Sequence, residues 1–212
     1  LAMADSGADI LDIGGESTRP GAEGISIDEE LRRTIPVIEG LSACRARLSI
    51  DTRHPEVMEQ AINAGAHIIN DITALTGSAD SLKMAARLGC PIVLMHMQGN
   101  PETMQKKPTY ENAPKDISDY LGQRIAVCLA AGIDRDLIAV DPGIGFGKSV
   151  THNLQLLNRI DQLHEHGCTI VLGVSRKSFI GALAGAENPQ DRLPGSLSAA
   201  VLARTKGVQI FR

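Results

Sequence analysis

The sequence predicts an α/β fold in which parallel strands alternate with helices, and three observations support this prediction. Short aliphatic segments alternate with segments of helical periodicity at spacings of roughly 20 to 40 residues. Aromatic residues make up only 2% of the chain, so the core must be aliphatic, which suits strands covered by helices on both faces. A polar residue stands at the carboxyl end of each aliphatic segment, where (β/α)₈ barrels of the TIM type keep their chemistry. We therefore predict a TIM-type barrel, with an open doubly wound sheet as the alternative.

The predicted elements follow one another in a regular order. Residues 1–8 form the tail of a helix, and further helices are predicted at 27–42, 55–65, 79–88, 115–131, 150–165 and 190–206. Strands are predicted at 9–13, 48–52, 67–71, 91–96, 138–141, 169–173 and 208–212. A polar loop with three prolines, 98–114, separates the fourth strand from its helix. This order predicts right-handed βαβ units and a parallel sheet.

Seven predicted strands are one fewer than a closed barrel contains, and the fold typically needs about 250 residues. We therefore expect residues 1–212 to form one barrel domain that is truncated at both ends. The missing parts would be the first strand with its loop and the last helix. The strands near Ile10 and Ile210 would then present unpaired edges.

Composition and charge narrow the classes of partner. The formal net charge is -4 with acids and bases interspersed, which predicts neither nucleic-acid nor anionic-membrane binding. The four cysteines, which form no C-x-x-C pair, are predicted to be small core residues in a reducing compartment. The sequence contains no signal peptide and no apolar run long enough to span a bilayer. We expect a cytoplasmic protein whose partners are small molecules.

The fifth predicted strand ends on Asp141 and turns at once into a glycine-rich loop. A phosphate-binding loop of the Walker type requires glycine where Pro142 stands, and the dinucleotide fingerprint requires glycine where Lys148 stands. Neither motif is therefore present. A lone Asp-Pro-Gly is by itself a turn with a capping acid. The recurrence of polar residues at the other strand ends is what indicates a site.

The residues at these strand ends suit a flat, polar heterocycle with an anionic arm. Asp141 can accept two parallel hydrogen bonds from an amidine-like edge, and Asn70 offers a donor and an acceptor, as a pterin or guanine edge requires. Asp51 supplies a second carboxylate. Lys177 precedes a helix start that suits an anion, and the planar guanidinium of Arg212 could cover the ring. The full set of residues at the strand ends is Thr18, Asp51, Asn70, His96, Asp141, Lys177 and Arg212.

The chain resembles the dihydropteroate synthase family of the folate pathway along its whole length. The resemblance is carried by residues 15–21 (GESTRPG), 49–52 (SIDT), 69–71 (IND), 95–97 (MHM), 141–148 (DPGIGFGK), 175–178 (SRKS) and 195–197 (GSL) through 210–212 (IFR). Each segment alone is modestly specific. Their occurrence in the family's order is what makes the resemblance strong.

The resemblance implies a site for each of two substrates. The pterin ring of dihydropterin-hydroxymethyl diphosphate would be held by Asp51, Asn70, Asp141 and Lys177, with Arg212 and Thr18 at the diphosphate. The second substrate, p-aminobenzoate, would lie among Thr18, Pro20, Phe146, Lys177 and Ser178. Sulfonamide inhibitors would occupy the p-aminobenzoate site.

The resemblance also implies how the reaction proceeds and what assists it. Departure of diphosphate leaves a methylene cation delocalised over the pterin, and Asp51 would stabilise that charge before the arylamine attacks. The family holds Mg²⁺ through an asparagine in the loop after its first strand. We expect no metal ligand in this chain because that loop falls in the missing segment. A family histidine that helps bind the anion would lie beyond Arg212. The family forms homodimers through late helices, so a full-length form is expected to be a homodimer.

Other polar residues receive structural interpretations. The carboxyl ends of the predicted strands form the rim of the barrel. His96 is interpreted as a hydrogen-bonded histidine at this rim, and Arg176 as a partner in an ion pair there. Asp12 and Asp71 are interpreted as side chains that hold loops. The remaining histidines considered, His152, His164 and His166, are assigned to the solvated surface.

Two alternative functions remain open. The first is a pterin-dependent methyltransferase barrel, which binds the same ring with similar Asp and Asn residues. That family has asparagine at the position of Lys177 and lacks the Ser-Thr-Arg-Pro-Gly loop. A partial, non-catalytic pterin-binding module is the second alternative.

Overall fold

The computed structural model describes residues 1–19, 21–101 and 103–212. Within these residues lie seven strands: β1 (Ile10–Gly14), β2 (Arg47–Asp51), β3 (Ile68–Asp71), β4 (Ile92–Met95), β5 (Ile138–Asp141), β6 (Thr169–Leu172) and β7 (Ile210–Phe211). The α-helices are α1 (Ala2–Asp5), α2 (Ile27–Gly40), α3 (Pro55–Asn63), α4 (Ser81–Leu88), α5 (Ala113–Ala130), α6 (Val150–Asn158), α7 (Ser178–Ala184) and α8 (Leu193–Thr205).

The seven strands form one parallel sheet in the order of the sequence, from β1 to β7. Each strand pairs with the next through a parallel register, such as Gly14 opposite Asp51 and Met95 opposite Asp141. A doubly wound sheet requires a reversal of strand order, which is absent from the described strands. The open-sheet alternative is therefore wrong, and the predicted TIM-type barrel architecture with seven strands is confirmed.

The sheet curls so that its two ends approach each other. β1 and β7 are the end strands of the sheet, yet the guanidinium of Arg212, next to Phe211 of β7, reaches the carboxylate of Asp12 on β1. Because an arginine side chain spans only a few ångströms, this contact shows that the carboxyl ends of the strands surround a common centre. The polar strand ends therefore share one rim.

The core lies between the sheet and the helices on its outer face. It is aliphatic, as the composition predicts, and its fully buried side chains include Ile38 of α2, Ile50 of β2, Leu94 of β4 and Leu121 of α5. Burial of such side chains against the helices stabilises the outer face of the sheet. None of the described helices is long and apolar enough to cross a membrane.

Two predicted helices are divided. The segment predicted as one helix over 150–165 ends as an α-helix at Asn158, because Arg159 leaves helical geometry at φ -119, and continues as the 3₁₀ helix Ile160–His166. The segment predicted from residue 190 begins as the 3₁₀ helix Pro189–Arg192 before α8. Both divisions lie on the outside of the sheet and leave the rim unchanged.

Candidate active site

One side of the rim is a cluster of charged and polar side chains around Arg212. Its Nη2 donates to Asp51 Oδ2 at 2.9 Å and its Nε donates to Asp12 Oδ2 at 2.5 Å. Asn70 Nδ2 also donates to Asp12 Oδ2, at 3.1 Å. Strand pairing produces this arrangement because β1, β2 and β3 are consecutive in the sheet and Arg212 approaches from its opposite end. Two carboxylates therefore share one guanidinium.

The surroundings of Asp51 change the pKa of its carboxyl group. Burial is the main influence that raises the pKa of Asp51 to about 7, and the negative charge of Asp12 raises it further, while Arg212 opposes both. A neutral carboxylic acid can donate a hydrogen bond, whereas a carboxylate can only accept. Asp51 can therefore change its hydrogen-bonding character near neutral pH.

The other side of the rim carries Asp141 and Lys177. Asp141 is buried, and its Oδ1 accepts a hydrogen bond from Gly143 N at 2.7 Å. Lys177 Nζ donates to the carbonyl oxygen of Ile144 and lies 4.8 Å from the centre of the Phe146 ring. The glycine-rich loop therefore packs directly against Lys177.

Asp141 and Lys177 also affect each other's protonation. Burial raises the pKa of Asp141, and the positive charge of Lys177 opposes that rise. Burial lowers the pKa of Lys177 to about 8, and the negative charge of Asp141 opposes that fall. Arg212 lowers the pKa of Asp141 as well as that of Asp51, so one guanidinium acts on both carboxylates. The structure thus brings the four residues predicted to hold the ring, together with Arg212, around one rim.

The remaining predicted site residues are placed as follows. Thr18 is partly exposed in the loop that follows β1, and Ser178 is exposed at the first position of α7. Phe146 lies beneath Lys177. Pro20 lies outside the residues that the structure describes.

Asp12 is the polar residue of the rim whose position the sequence interpretation missed. It was interpreted as a loop-holding residue, whereas its carboxylate accepts hydrogen bonds from Arg212 and Asn70 inside the sheet. The available signal was its place within β1, two residues before the strand ends at Gly14. Asp71, in contrast, does hold a loop: Oδ1 accepts from Thr73 N at 2.7 Å and Oδ2 from Leu75 N at 3.0 Å.

Two histidines assigned to the surface make specific contacts. His166 is partly buried and its Nε2 lies 2.8 Å from Ser118 Oγ, so its assignment to the solvated surface is wrong. His152 belongs to the capping box of α6, where its backbone N donates to Ser149 Oγ at 3.2 Å. His164 is exposed, as expected.

Arg176 does not form the expected ion pair with any described residue. Its backbone N donates to Ser196 Oγ at 2.8 Å, and its side chain is exposed. The main chain of Arg176, rather than its charge, therefore secures this part of the rim.

A divalent metal would need several oxygen or nitrogen ligands. Within residues 1–19, 21–101 and 103–212, no group of three or more His, Cys, Asp or Glu side chains is arranged to hold one. The described residues therefore do not form a self-sufficient metal site.

Comparisons with known proteins agree with this geometry. The family model described as pterin binding enzyme matches residues 1–212. Dihydropteroate synthase of Escherichia coli (strain K12) is 46% identical over 211 residues, which cover 99% of this chain and 74% of that protein. The structure of Xanthomonas albilineans dihydropteroate synthase with 4-aminobenzoic acid superposes with a TM-score of 0.94 at 46% identity, covering 100% of this chain and 75% of that one. A Yersinia pestis dihydropteroate synthase in complex with a sulfonamide drug gives a TM-score of 0.96 at 44% identity, covering 100% and 76%.

A parallel barrel with a polar rim, together with a family match over residues 1–212, defines a class of protein. The chain belongs to the pterin-binding enzyme family. Its relatives at this level of identity are dihydropteroate synthases, and the chain is an enzyme of that kind, which transfers a pterin-methyl group.

Proposed function

We propose that the chain joins (7,8-dihydropterin-6-yl)methyl diphosphate to p-aminobenzoate and releases diphosphate and 7,8-dihydropteroate. The observation that carries this proposal is the convergence of Asp51, Asn70, Asp141 and Lys177 on one rim. Burying several polar side chains is costly unless a ligand or a neighbour pairs them. Nothing in the comparisons favours a methyltransferase.

We assign the pterin ring to Asp51, Asn70, Asp141 and Lys177. Asp141 accepts one backbone N–H at Oδ1, and a carboxylate has acceptor capacity for two further hydrogen bonds from an amidine-like edge. Lys177 beside it supplies a donor to a ring oxygen or nitrogen. Asn70 donates to Asp12, so its amide oxygen is directed by that contact toward a ring donor.

We assign the diphosphate to Arg212 and Thr18. The guanidinium of Arg212 uses Nε and Nη2 on Asp12 and Asp51, which leaves Nη1 without a partner among the described residues. Guanidinium groups bind phosphate oxygens in a planar, two-pronged geometry. Binding of the diphosphate would then draw Arg212 away from the carboxylates it pairs in this structure.

We assign p-aminobenzoate to Thr18, Pro20, Phe146, Lys177 and Ser178. The ring of Phe146 and the ammonium of Lys177 are in contact, so an aromatic carboxylate placed there would meet both an apolar face and a cation. The similar Xanthomonas albilineans and Yersinia pestis proteins bind 4-aminobenzoic acid and a sulfonamide drug, respectively. We therefore expect sulfonamides to compete at this position.

The reaction needs no side-chain nucleophile. The C–O bond to the diphosphate breaks first, and the positive charge on the methylene carbon is delocalised into the pterin ring. Asp51, in its ionised form, would stabilise this charge from a buried position. The arylamine nitrogen then forms a bond to the carbon and loses its proton. When the diphosphate draws Arg212 away, Asp51 loses its cation. Binding of the diphosphate would therefore affect the charge of Asp51.

The proposal also covers the domain organisation, location, metal ion and oligomeric state of the protein. We propose a single domain over residues 1–212, a cytoplasmic location, and Mg²⁺ as the ion that accompanies the diphosphate. No step above depends on that ion. We also propose a homodimer. Its support is a stripe of exposed apolar side chains on α8, formed by Leu193, Leu197 and Val201 at intervals of four residues.

The decisive experiment measures turnover of the pterin diphosphate with p-aminobenzoate, with Mg²⁺ present. We expect dihydropteroate and diphosphate in equal amounts, and loss of product formation in Asp141→Asn. Binding of the pterin without product would favour a non-catalytic module. Methyl transfer from a methylated folate would favour the methyltransferase and refute the proposal.

A further inference from the structure

Lys148 is a buried lysine at the end of the glycine-rich loop, where the proposed reaction assigns it no role. Only 3% of its surface is exposed. Its Nζ lies 2.9 Å from His96 Nδ1, 3.3 Å from the carbonyl oxygen of His96 and 2.9 Å from that of Phe146. None of the salt bridges formed by the described residues includes Lys148. Three neutral polar atoms therefore surround this amino group. Burial lowers the pKa of Lys148 well below its usual value.

The hydrogen-bonding character of His96 fits this contact. Burial, followed by the positive charge of Lys148, lowers the pKa of His96 to about 3, so the imidazole is neutral at physiological pH. With Lys148 donating, Nδ1 must be the acceptor and Nε2 carries the proton. The ring packs edge to face on Tyr120, with centroids 4.9 Å apart. The neutral imidazole of His96 is therefore held between Lys148 and Tyr120.

Lys148 joins two segments of the rim whose backbones touch. A Cβ atom on Gly147 would lie 2.7 Å from the carbonyl oxygen of Gln98, and one on Gly143 would overlap that of His96. The loop after β5 can therefore approach the end of β4 only because these positions are glycine. Lys148 spans that contact, since its ammonium group meets His96 on one segment and Phe146 on the other.

The same loop presents the groups assigned to the second substrate. Lys177 donates to the carbonyl oxygen of Ile144 while its ammonium covers the ring of Phe146. Lys148 donates to the carbonyl oxygen of Phe146 itself. Movement of that peptide would shift the ring and alter its contact with Lys177.

We propose that Lys148, held by His96, is a positioning residue that fixes Phe146 and thereby shapes the p-aminobenzoate site. This proposal rests on the proposed function for the identity of the second substrate. It predicts that Lys148 affects binding of p-aminobenzoate far more than binding of the pterin diphosphate. Lys148 contacts neither substrate in this assignment.

The test compares Lys148→Met with the matched control Lys83→Met, which removes an exposed lysine from α4. Methionine keeps most of the apolar volume and removes the buried amino group, so the variant is expected to fold. We expect Lys148→Met to raise the KM for p-aminobenzoate about tenfold or more, with the affinity for the pterin diphosphate within about twofold of the unchanged protein. The control should change neither quantity.

Two variants of His96 test the same contact from its other side. His96→Gln keeps an acceptor for Lys148, whereas His96→Leu removes it. We expect His96→Leu to raise the KM for p-aminobenzoate like Lys148→Met, and His96→Gln to restore it in part. In the double variant Lys148→Met/His96→Leu, the two effects should not add, because both break one contact. Additive effects would overturn the proposal.

A readout independent of turnover separates this proposal from the proposed function. The chain contains three phenylalanines, and fluorine labelling of all three gives one resonance each for Phe146, Phe179 and Phe211. Lys148→Met should move the Phe146 resonance and leave the other two in place. An unmoved Phe146 resonance, or equal losses for both substrates, would overturn the positioning role. If the unchanged protein shows no turnover but Lys148→Met still moves the Phe146 resonance, only the proposed reaction is refuted.

Discussion

The two sides of the rim hold their cations in different ways. On the acidic side, formed by β1, β2, β3 and the residue after β7, Arg212 pairs with the carboxylates of Asp12 and Asp51. On the lysine side, formed by β4, β5 and β6 with their loops, Lys148 and Lys177 donate to carbonyl oxygens and a neutral imidazole. No salt bridge among the described residues includes Lys148 or Lys177.

This difference separates two tasks. A ligand that binds the acidic side must compete with an existing ion pair, so its binding rearranges charge. A ligand that binds the lysine side meets Asp141 and Lys177 with their charges opposed but not joined. A substrate can therefore contact Asp141 and Lys177 without breaking an ion pair. A substrate that binds the acidic side must replace the ion pairs of Arg212.

The largest expected effect concerns the affinity of the lysine side for the pterin diphosphate. Lys177→Met and Asp141→Asn should each weaken binding of the pterin diphosphate by about 1 to 3 kcal/mol, because each removes a charged partner from a buried site. Calorimetric titration measures the change. Lys115→Met, which removes an exposed lysine of α5, is the control. Wild-type affinity in both variants would show that the ring binds elsewhere.

The next effect tests the ion pairs of the acidic side. Arg212→Met leaves Asp12 and Asp51 without their cation. The loss of folding stability should reach about 1 to 2 kcal/mol at about pH 8, below the cost of breaking a fully buried pair because Arg212 is half exposed.

The dependence on pH follows from Asp51. Its pKa rises to about 7 on folding, so the stability linked to its protonated form is present at low pH and is lost as pH rises through about 7. Removing Arg212 raises that pKa further, so the additional loss should be small at about pH 5 and largest at about pH 8. Thermal unfolding at both pH values measures it, with the exposed Arg87→Met as control. An equal loss at both values would mean that Arg212 acts through packing or through Asp12 rather than through Asp51.

The sequence predicted the architecture because its signals are local. Aliphatic strands, helical periodicity and a polar residue at each strand end are visible without tertiary contacts. They gave seven strands in the right order, with boundaries close to those of β5 and β6. The division of the helix at Arg159 was missed because it follows from one residue's geometry rather than from periodicity.

The candidate site was predictable where a residue ends a strand. Asp51 and Asp141 are the last residues of β2 and β5, so their positions followed from the pattern. Asp12 was missed because it lies inside β1, and its partner Arg212 is 200 positions away in the chain. The contact of Lys148 with His96 was missed for the same reason, since only the folded sheet brings β4 and the loop after β5 together.

The smallest expected effect concerns Glu30, a buried acid of α2 near the acidic side. Unlike Asp12 and Asp51, it has no cation at hydrogen-bonding distance among the described residues. Glu30 of α2 is 1% exposed, and neither of its carboxylate oxygens has a hydrogen-bond partner among the described residues. His54 Nε2 lies 3.9 Å from Glu30 Oε2, beyond hydrogen-bonding distance. Burial raises the pKa of Glu30 above its usual value.

Because the folded state favours protonated Glu30, stability from this group is present below its unfolded pKa and is lost as pH rises through the higher folded value. Glu30→Gln keeps the shape and cannot ionise, so it should stabilise the fold by about 1 kcal/mol at about pH 8 and by nearly nothing at about pH 4. Chemical unfolding at the two pH values measures the difference, and Glu39→Gln, exposed on the same helix, is the control. A loss of stability at about pH 8 would mean that the interactions of the ionised Glu30 carboxylate outweigh the effect of its burial.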